Sequence, residues 1–254
     1  MTAWLASLVT LLTAALLPLL RVSSLMVTAP LFSATQVPAR FKALFAVVLT
    51  AIIAPLQAAP PALLSPAWWD AAVGEIAIGL LIGFGFKLVF EGISMGAEAA
   101  AGASGLSFAQ LADPVDGAPT AAVGSLYAIL ATLAFLALDG HLLLIQVLTE
   151  SFSFSTNPIV LLHAVLGFGA HVLAAGVLLA APVIAASLGV YLAMGAVSKA
   201  APALNLFAVG FPAALLVALI AIGWSLNGIP GTLQHFTDQA ASLVAPAQPD
   251  HRAR

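Results

Sequence analysis

The chain has 254 residues, of which 62% are hydrophobic and only 7% are charged. Because soluble domains usually carry about 25% charged residues, seven basic and ten acidic side chains cannot cover a water-exposed surface of this size, and the composition predicts an integral membrane protein. A net charge of −3 argues against a nucleic-acid partner, and the absence of cysteine excludes disulfides, thiolate metal sites and cysteine nucleophiles.

Apolar runs suited to crossing a hydrocarbon core, about 20 residues each, predict six helical segments. In chain order they are Ala3–Leu20, Ala43–Gln57, Ala71–Phe90, Ala121–Leu138, Ile159–Leu192 and Leu204–Leu226. We interpret the first as a retained helix rather than a cleaved leader, because its first basic residue, Arg21, comes after the apolar run. The fifth is too long for one simple span and contains Pro182, which is expected to kink it or divide it into two half-helices. The predicted fold is therefore an all-α polytopic membrane protein with about six helical segments and a broken fifth segment.

The third segment and its surroundings carry several charges. Glu75, Lys87, Glu91 and Glu98 lie in or near it, and charges at membrane depth usually face a partner or a cavity. Lys87 and Glu91 are four positions apart, so we interpret them as an ion pair at a helix end that meets water. The alternative is a proton relay, against which stands the lack of a continuing chain of acidic residues in the neighbouring apolar segments.

Two glycine pairs in and after the same segment predict close helix packing. Gly79 and Gly83, and then Gly92 and Gly96, are each four positions apart. Each pair therefore lies on one helix face, where small residues let another backbone approach closely. Together the pairs favour a subunit of an assembly over an isolated bundle.

The sequence carries no convincing motif for catalysis or metal binding. It contains no HExxH or GxxxxGK[ST] pattern, and its one GxSxG match, GISMG at 92–96, coincides with the glycine pair on a predicted helix face and not with a strand-to-helix elbow. His163 and His171 are too far apart in sequence to chelate from one helical turn. We interpret these histidines and His141 as buried side chains with one hydrogen bond each. The sequence thus predicts a protein that is not an enzyme and has no cofactor and no metal site.

A segment of different composition, GASGLSFAQLADPVDGAPT at 102–120, follows the third apolar segment. It is rich in small and hydroxylated residues and carries acidic residues but no basic one. Irregular backbone at membrane depth is tolerated only inside protein or along an aqueous cavity, so this segment is expected to be a loop that lines or fills a lumen. The residues that would turn, shape or fill it are Gly102, Gly105, Leu106, Ser107, Phe108, Asp113 and Pro114. The alternative is an ordinary loop outside the membrane.

Four stretches form an ordered pattern along the chain. They are RVSSLMVTAPLFSATQVPARFK at Arg21–Lys42, GLSFAQLADP at Gly105–Pro114, DGHLLLIQVL at Asp139–Leu148 and KAAPALNLFAVGFP at Lys199–Pro212. In order and spacing they resemble the FliR family of flagellar export-gate proteins. The chain departs from the family pattern at Ser104, where methionine is frequent, at Lys199, where arginine is usual, and at Ala203, where glutamine is common.

The resemblance implies a single-copy subunit of the flagellar type III secretion export gate, located in the bacterial inner membrane at the flagellar basal body. FliP-like and FliQ-like subunits would form with it the pore for unfolded exported flagellar proteins, and an FlhB-like subunit would join at the entrance. Membrane lipid would surround the assembly. The loop at 102–120 would project into the pore and contribute to a plug.

The resemblance also implies a domain organisation. A FliP-like helical part at 1–156 would contain the plug loop, a FliQ-like helical hairpin would occupy 157–230, and 231–254 would be a polar C-terminal tail. The residues expected to act in structure or assembly are Arg21, Pro30, Pro38, Arg40, Glu75, Gly140, His141, Pro182, Lys199, Pro202, Asn205, Gly210, Phe211 and Pro212.

Two other functions stay open at this point. One is the equivalent subunit of a virulence injectisome, which has the same architecture. The other is a secondary transporter, motivated by the interrupted fifth segment and the acidic residues near the third. Transporters usually show paired interrupted helices in two related halves, whereas this sequence has one clear interruption.

Overall fold

The computed structural model describes residues 2–33, 37–57, 60–104, 122–153, 156–200 and 206–244. Within these ranges the chain forms α-helices, short turns and no strand. The helices are α1 (Thr2–Thr28), α2 (Ala39–Ile53), α3 (Pro66–Ser104), α4 (Ala122–Ala137), α5 (Gly140–Glu150), α6 (Pro158–Ala200), α7 (Leu206–Leu226) and α8 (Ile229–Ser242). The prediction of an all-α fold is confirmed.

Two helices in the described ranges are long and apolar enough to cross a membrane, α3 and the Pro158–Lys199 part of α6. The helix pairs α4 with α5 and α7 with α8 pass the same test of length and composition when each interrupted pair counts as one span, which raises the number to four. Helix α3 has 39 residues, about 58 Å at 1.5 Å per residue, against a hydrocarbon thickness of about 30 Å. The class of polytopic membrane protein is confirmed, with fewer candidate spans than predicted segments.

The fifth predicted segment is one continuous helix. Helix α6 runs through Pro182, so the division into two half-helices is wrong. Pro182 is exposed, while Ala180 and Val183 beside it are buried. Their packing holds the turns in register although one backbone hydrogen bond is lost.

The chain is interrupted elsewhere. Between α4 and α5, Asp139 adopts a left-handed conformation with φ 55° and ψ 25°, and α7 ends before a turn at Asn227.

Contacts divide the chain into two compact units. Unit 1 comprises Met1–Leu88, Asp139–Gly169 and Thr237–Arg254, and unit 2 comprises Val89–Leu138 and Ala170–Phe236. Helices α3 and α6 each contribute one part to each unit. This division describes packing, and the predicted organisation into a FliP-like part, a FliQ-like hairpin and a tail stays a prediction.

Unit 1 contains a close crossing of α1 and the first part of α3. A Cβ atom added to Gly79 would overlap the main-chain carbonyl of Arg21 and the hydroxyl of Ser24. One added to Gly83 would lie 2.7 Å from the carbonyl oxygen of Leu25. The predicted close packing at this glycine pair is confirmed, and the partner is α1 of the same chain.

Candidate functional site

The end of α3 leads into residues 105–121, which contain most of the predicted plug loop and lie outside the described residues. In unit 2 this end of α3 packs on α6. A Cβ added to Gly92 would lie 2.6 Å from a methyl carbon of Val172, and one added to Gly96 would overlap the carbonyl oxygen of Gly176. The predicted packing is again confirmed. Because both glycine pairs serve contacts inside the chain, they carry no argument for a neighbouring subunit.

One face of the last turns of α3 is buried, and the end of the helix is hydrogen-bonded. Ala97 and Ala101 are fully buried. Ser104 is also buried, and its hydroxyl donates to the carbonyl of Ala101 at 2.9 Å. The hydroxyl of Tyr191, from α6, donates to the carbonyl of Ala103 at 3.2 Å. Because the last four carbonyls of a helix have no partner within it, this bond ties the end of α3 to α6.

Helix α3 extends past the predicted start of the loop. Gly102 lies in its last turn and is exposed, so the prediction that the loop begins there is wrong. A Cβ at Gly102 would meet nothing within 4 Å, which means that no tight backbone path requires glycine. The alanine-rich run before it favours helix, and its buried face extends the helix to Ser104. The other predicted loop residues, Gly105, Leu106, Ser107, Phe108, Asp113 and Pro114, lie outside the described residues, and their role stays a prediction.

The far end of the loop enters α4, which is also in unit 2. Tyr127 is 1% exposed and hydrogen-bonds to Ser225 of α7. Because the Ser225 hydroxyl donates its one hydrogen to the carbonyl of Ile222 at 3.0 Å, the phenol is the donor to Ser225. Further along α4, Phe135 packs edge-on against Phe90 of α3, with ring centroids 5.3 Å apart. Buried contacts within unit 2 therefore fix the helices on both sides of residues 105–121.

A second polar cluster lies in unit 1, around a buried arginine. Arg21 is 5% exposed, and its Nε and Nη2 donate to the two carboxylate oxygens of Glu75 at 2.6 and 2.8 Å. Its Nη1 donates to the carbonyl and the hydroxyl of Ser151 at 2.7 and 3.1 Å. The guanidinium carbon lies 4.2 Å from the ring centroid of Phe152. The cluster therefore joins α1, α3 and the end of α5.

The geometry of this cluster suits a structural clamp. The bidentate pairing of Arg21 with Glu75 uses the planar fork of the guanidinium, and the ring of Phe152 adds a cation–π contact. Both carboxylate oxygens of Glu75 already accept a hydrogen bond from Arg21. The carboxylate is therefore not suited to relaying protons. Two of the predicted structural residues are thus brought together. Sequence reasoning missed Ser151 and Phe152, and no local pattern marks them, because Ser151 lies 130 positions from Arg21.

Other predicted structural residues of unit 1 lie on the α1–α2 connection and on α5. Pro30 is in the turn after α1, Pro38 directly precedes α2, and Arg40 is exposed in the first turn of α2. Gly140 is buried as the first residue of α5, followed by the half-buried His141. Proline before a helix is favourable, because it has no amide hydrogen that the helix would need.

The predicted residues near the end of α6 and the start of α7 belong to unit 2. Lys199 is exposed in the last turn of α6. Gly210 is buried in α7, where an added Cβ would lie 3.1 Å from the terminal methyl of Met194. Phe211 and Pro212 follow it within the helix, and Pro212 is exposed. Pro202 and Asn205 lie outside the described residues.

The histidines differ from the sequence prediction of buried side chains with one hydrogen bond each. His163 and His171 are exposed, so their predicted burial is wrong, although Nδ1 of His163 does hydrogen-bond to the carbonyl of Ile159 at 2.8 Å. Nδ1 of His141 is buried and has no hydrogen-bond partner within the described part of the chain. The same part of the chain contains no group of three or more histidine or acidic side chains that could hold a metal ion.

Comparison with known proteins identifies the family. The family model of bacterial export proteins, family 1, matches residues 12–240. The flagellar biosynthetic protein FliR of Pectobacterium carotovorum subsp. carotovorum is 34% identical over 237 residues, and that of Escherichia coli K12 is 32% identical over 238, each covering 90% of both chains. The FliR protein of Caulobacter vibrioides is 30% identical over 217 residues, covering 82% of this chain and 86% of the relative. The chain therefore belongs to the bacterial export proteins of family 1 and, within them, to the FliR family.

Proposed function

We propose that the chain is a membrane subunit of the flagellar protein export apparatus. On this proposal it forms, with FliP-like and FliQ-like subunits, the pore through which unfolded flagellar proteins pass, and an FlhB-like subunit joins at the entrance. The family description, bacterial export, and the flagellar name of the relatives support the first part. Two helices apolar enough to cross a membrane support a membrane location. On this proposal that membrane is the bacterial inner membrane, at the flagellar basal body.

The observation that carries the pore role is the anchoring of the helices on both sides of residues 105–121. On one side, α3 contacts α6 at Gly96 and through the bond from Tyr191 to Ala103. On the other side, α4 is bonded to α7 through Tyr127. A segment that closes a lumen has to return to one position after each displacement. Fixed ends allow that return, so the anchoring supports a plug at 105–121.

The energetics of such a plug are compatible with gating. Its large apolar side chains are Leu106, Phe108 and Leu111, and burying each contributes on the order of 1.5–3 kcal/mol at most. An entering unfolded chain can offset a sum of this size with contacts of its own. The root of the loop, meaning the end of α3 and the start of α4, is different. Moving it would separate the Gly96 contact and break the hydrogen bonds of Tyr191 and Tyr127, the second of which is buried. We therefore expect the loop to move while α3 and α4 stay in place.

The flagellar assignment is preferred to the two alternatives for separate reasons. The three relatives reported above are all named flagellar biosynthetic proteins, which favours the flagellar apparatus over an injectisome. The transporter hypothesis was based partly on a broken fifth segment, but α6 is continuous through Pro182. It was also based on the acidic side chains near the third segment, but one of them, Glu75, is paired with Arg21.

Membership of the assembly is tested by co-expressing the affinity-tagged chain with FliP-like and FliQ-like subunits from the same genome. Native mass spectrometry of the detergent-solubilised complex should show all three in one particle. Deleting the gene should abolish secretion of flagellar proteins, and the plasmid-borne gene should restore it. A monodisperse, heat-stable monomer purified without partners, together with unchanged secretion in the deletion strain, would count against the proposal.

The plug role has a separate secretion test. Removing residues 105–110 leaves Ser104 and the root of the loop intact, so the complex should assemble and secretion should continue. The matched control removes 247–252, an equally long part of the polar C-terminal segment. Loss of the assembled complex in the loop deletion, with a normal complex in the control, would show that the loop is an assembly element instead of a movable plug.

A further inference from the structure

Helix α2 presents most of its large apolar side chains outward. Ala46, Thr50 and Ile53 are its buried residues, and the helix packs against α1. Its exposed apolar residues, which are between 48% and 65% accessible, are Phe41, Leu44, Val47, Val48 and Ile52. The helix has 15 residues, about 22 Å, and is too short to cross a hydrocarbon core of about 30 Å.

An apolar groove of about 280 Å³ lies along this outward face. The rings of Phe32 and Phe45 stack in it, with centroids 5.2 Å apart. Phe41, Leu44 and Val48 also line it. Four of these five residues follow the i, i+3, i+4, i+7 spacing of one helical face. The groove is therefore a strip along α2, and Lys42 is the only charged residue among its lining residues.

A second groove of about 300 Å³ lies between α2 and α1. Ser23, Met26 and Val27 line it from α1, Ser33 from the turn after α1, and Ala43 and Ala46 from α2. Lys42 lines this groove as well, and it is the one residue that the two grooves share. On the helical wheel, position 42 falls between the face of the first groove and that of positions 43 and 46. The two grooves thus meet at one cationic side chain.

Positive charge is concentrated at this point. Arg40 is exposed two positions before Lys42, in the same turn of α2. The sequence contains no acidic residue between Arg21 and Asp70. Cationic side chains beside an apolar surface attract anionic lipid headgroups, and this attraction adds to the burial of acyl chains.

We propose that this face of α2 binds one diacyl anionic phospholipid of the bilayer. The phosphate lies at Lys42 and Arg40, and one acyl chain occupies each groove. Two largely apolar grooves that meet at a cation match two acyl chains joined at one phosphate, whereas a single helix of a neighbouring protein would match one groove. The proposal rests on α2 and its grooves and does not depend on the export role.

The test uses the full chain purified with its membrane partners in mild detergent. The probe is phosphatidylglycerol with a photoreactive diazirine on one acyl chain, and phosphatidylcholine with the same group is the neutral comparison. After irradiation, mass spectrometry should find the label between Ser23 and Val48, and more of it from the anionic probe. Removing one charge should lower the labelling about fivefold, and removing both roughly 25-fold, since each cation near an anionic surface contributes about that factor.

The charge variants are Arg40→Gln, Lys42→Gln and their double, and the matched control is Arg252→Gln, a cation of the polar C-terminal segment. The apolar variant is Leu44→Gln, with Leu178→Gln on α6 as its control, since both leucines are exposed. Labelling should fall in the charge variants and in Leu44→Gln, and it should stay unchanged in the two control variants. If the double variant yields no complex, the two single variants provide the charge test.

Three results would overturn the proposal. The first is equal labelling by the anionic and neutral probes. The second is unchanged labelling in the charge variants. The third is protection of α2 by a neighbouring polypeptide, seen as protein–protein cross-links from a photoreactive residue at position 44 and no lipid label, which would make this face a subunit interface.

Discussion

Glu75→Gln is the substitution that most directly tests the clamp in unit 1. It keeps the shape of the side chain but removes the carboxylate that accepts two hydrogen bonds from Arg21 at 2.6 and 2.8 Å. The guanidinium then stays buried without a counter-charge, because its other contacts, with Ser151 and Phe152, are neutral. Glu98→Gln is the matched control, since Glu98 lies in the same helix but is exposed.

The expected magnitude follows from the burial of the pair. Side-chain exposure is 7% for Arg21 and 19% for Glu75, so water screens the charges poorly. Removing one partner of a buried ion pair costs about 3–5 kcal/mol. For a chain of this size, 1 kcal/mol shifts the melting temperature by about 2–4 °C, so Glu75→Gln should lower it by roughly 6–20 °C. Glu98→Gln should change it by less than about 2 °C, as an exposed substitution of about 0.5 kcal/mol.

The assay is thermal unfolding of the detergent-solubilised complex, followed through the size-exclusion peak of a fluorescently tagged chain. A third variant, Arg21→Met combined with Glu75→Leu, removes both charges. It should be less destabilised than Glu75→Gln, because well-packed apolar residues can replace a buried pair at small cost. The clamp account fails if Glu75→Gln melts within 2 °C of the Glu98→Gln control (about 1 kcal/mol or less), or if the double variant is the least stable of the three.

Three further substitutions test the root of the loop. Gly96→Ala should lower the melting temperature of the complex by the equivalent of about 1–3 kcal/mol, because its Cβ would force α3 away from α6. The control is Gly74→Ala, whose Cβ meets nothing within 4 Å and which should be neutral or stabilising. Equal melting temperatures of the two variants would refute the close contact. Tyr127→Phe should cost only about 0.5–1.5 kcal/mol, since Ser225 keeps its own bond to a backbone carbonyl; a loss above 3 kcal/mol in the same melting assay would contradict this. Tyr191→Phe should raise hydrogen exchange of the backbone amides at 97–104 and leave the melting temperature nearly unchanged, and unaltered exchange there would show that its bond to α3 does not hold the helix end.

Local pattern was sufficient to predict much of the fold. Composition indicated the membrane class, and the four-residue spacing of Gly79 with Gly83 and of Gly92 with Gly96 predicted two close helix crossings. Arg21 and Glu75 were predicted as structural residues, but their pairing was not. A pairing over 54 positions depends on how α1 and α3 cross, and neither helix carries a local signal of its partner.

Two errors have physical causes that the sequence does not display. Pro182 was expected to break its helix, yet the neighbouring Ala180 and Val183 are buried, and their packing offsets the lost hydrogen bond. Gly102 was expected to begin the loop, yet the buried alanines before it extend α3 to Ser104. In both cases tertiary packing overrode a local breaker, as is common where one helix face is buried.

The central claim is that residues 105–121 close a pore between helices that stay fixed, and ion conductance tests it most directly. The complex with residues 105–110 deleted should assemble with the wild-type subunit composition. Reconstituted in a planar bilayer, it should conduct ions continuously, while the wild type and the 247–252 deletion stay closed. Phe108→Ala should show a weaker form of the same leak. A loop-deleted complex of normal composition that is as tight as the wild type would contradict the account.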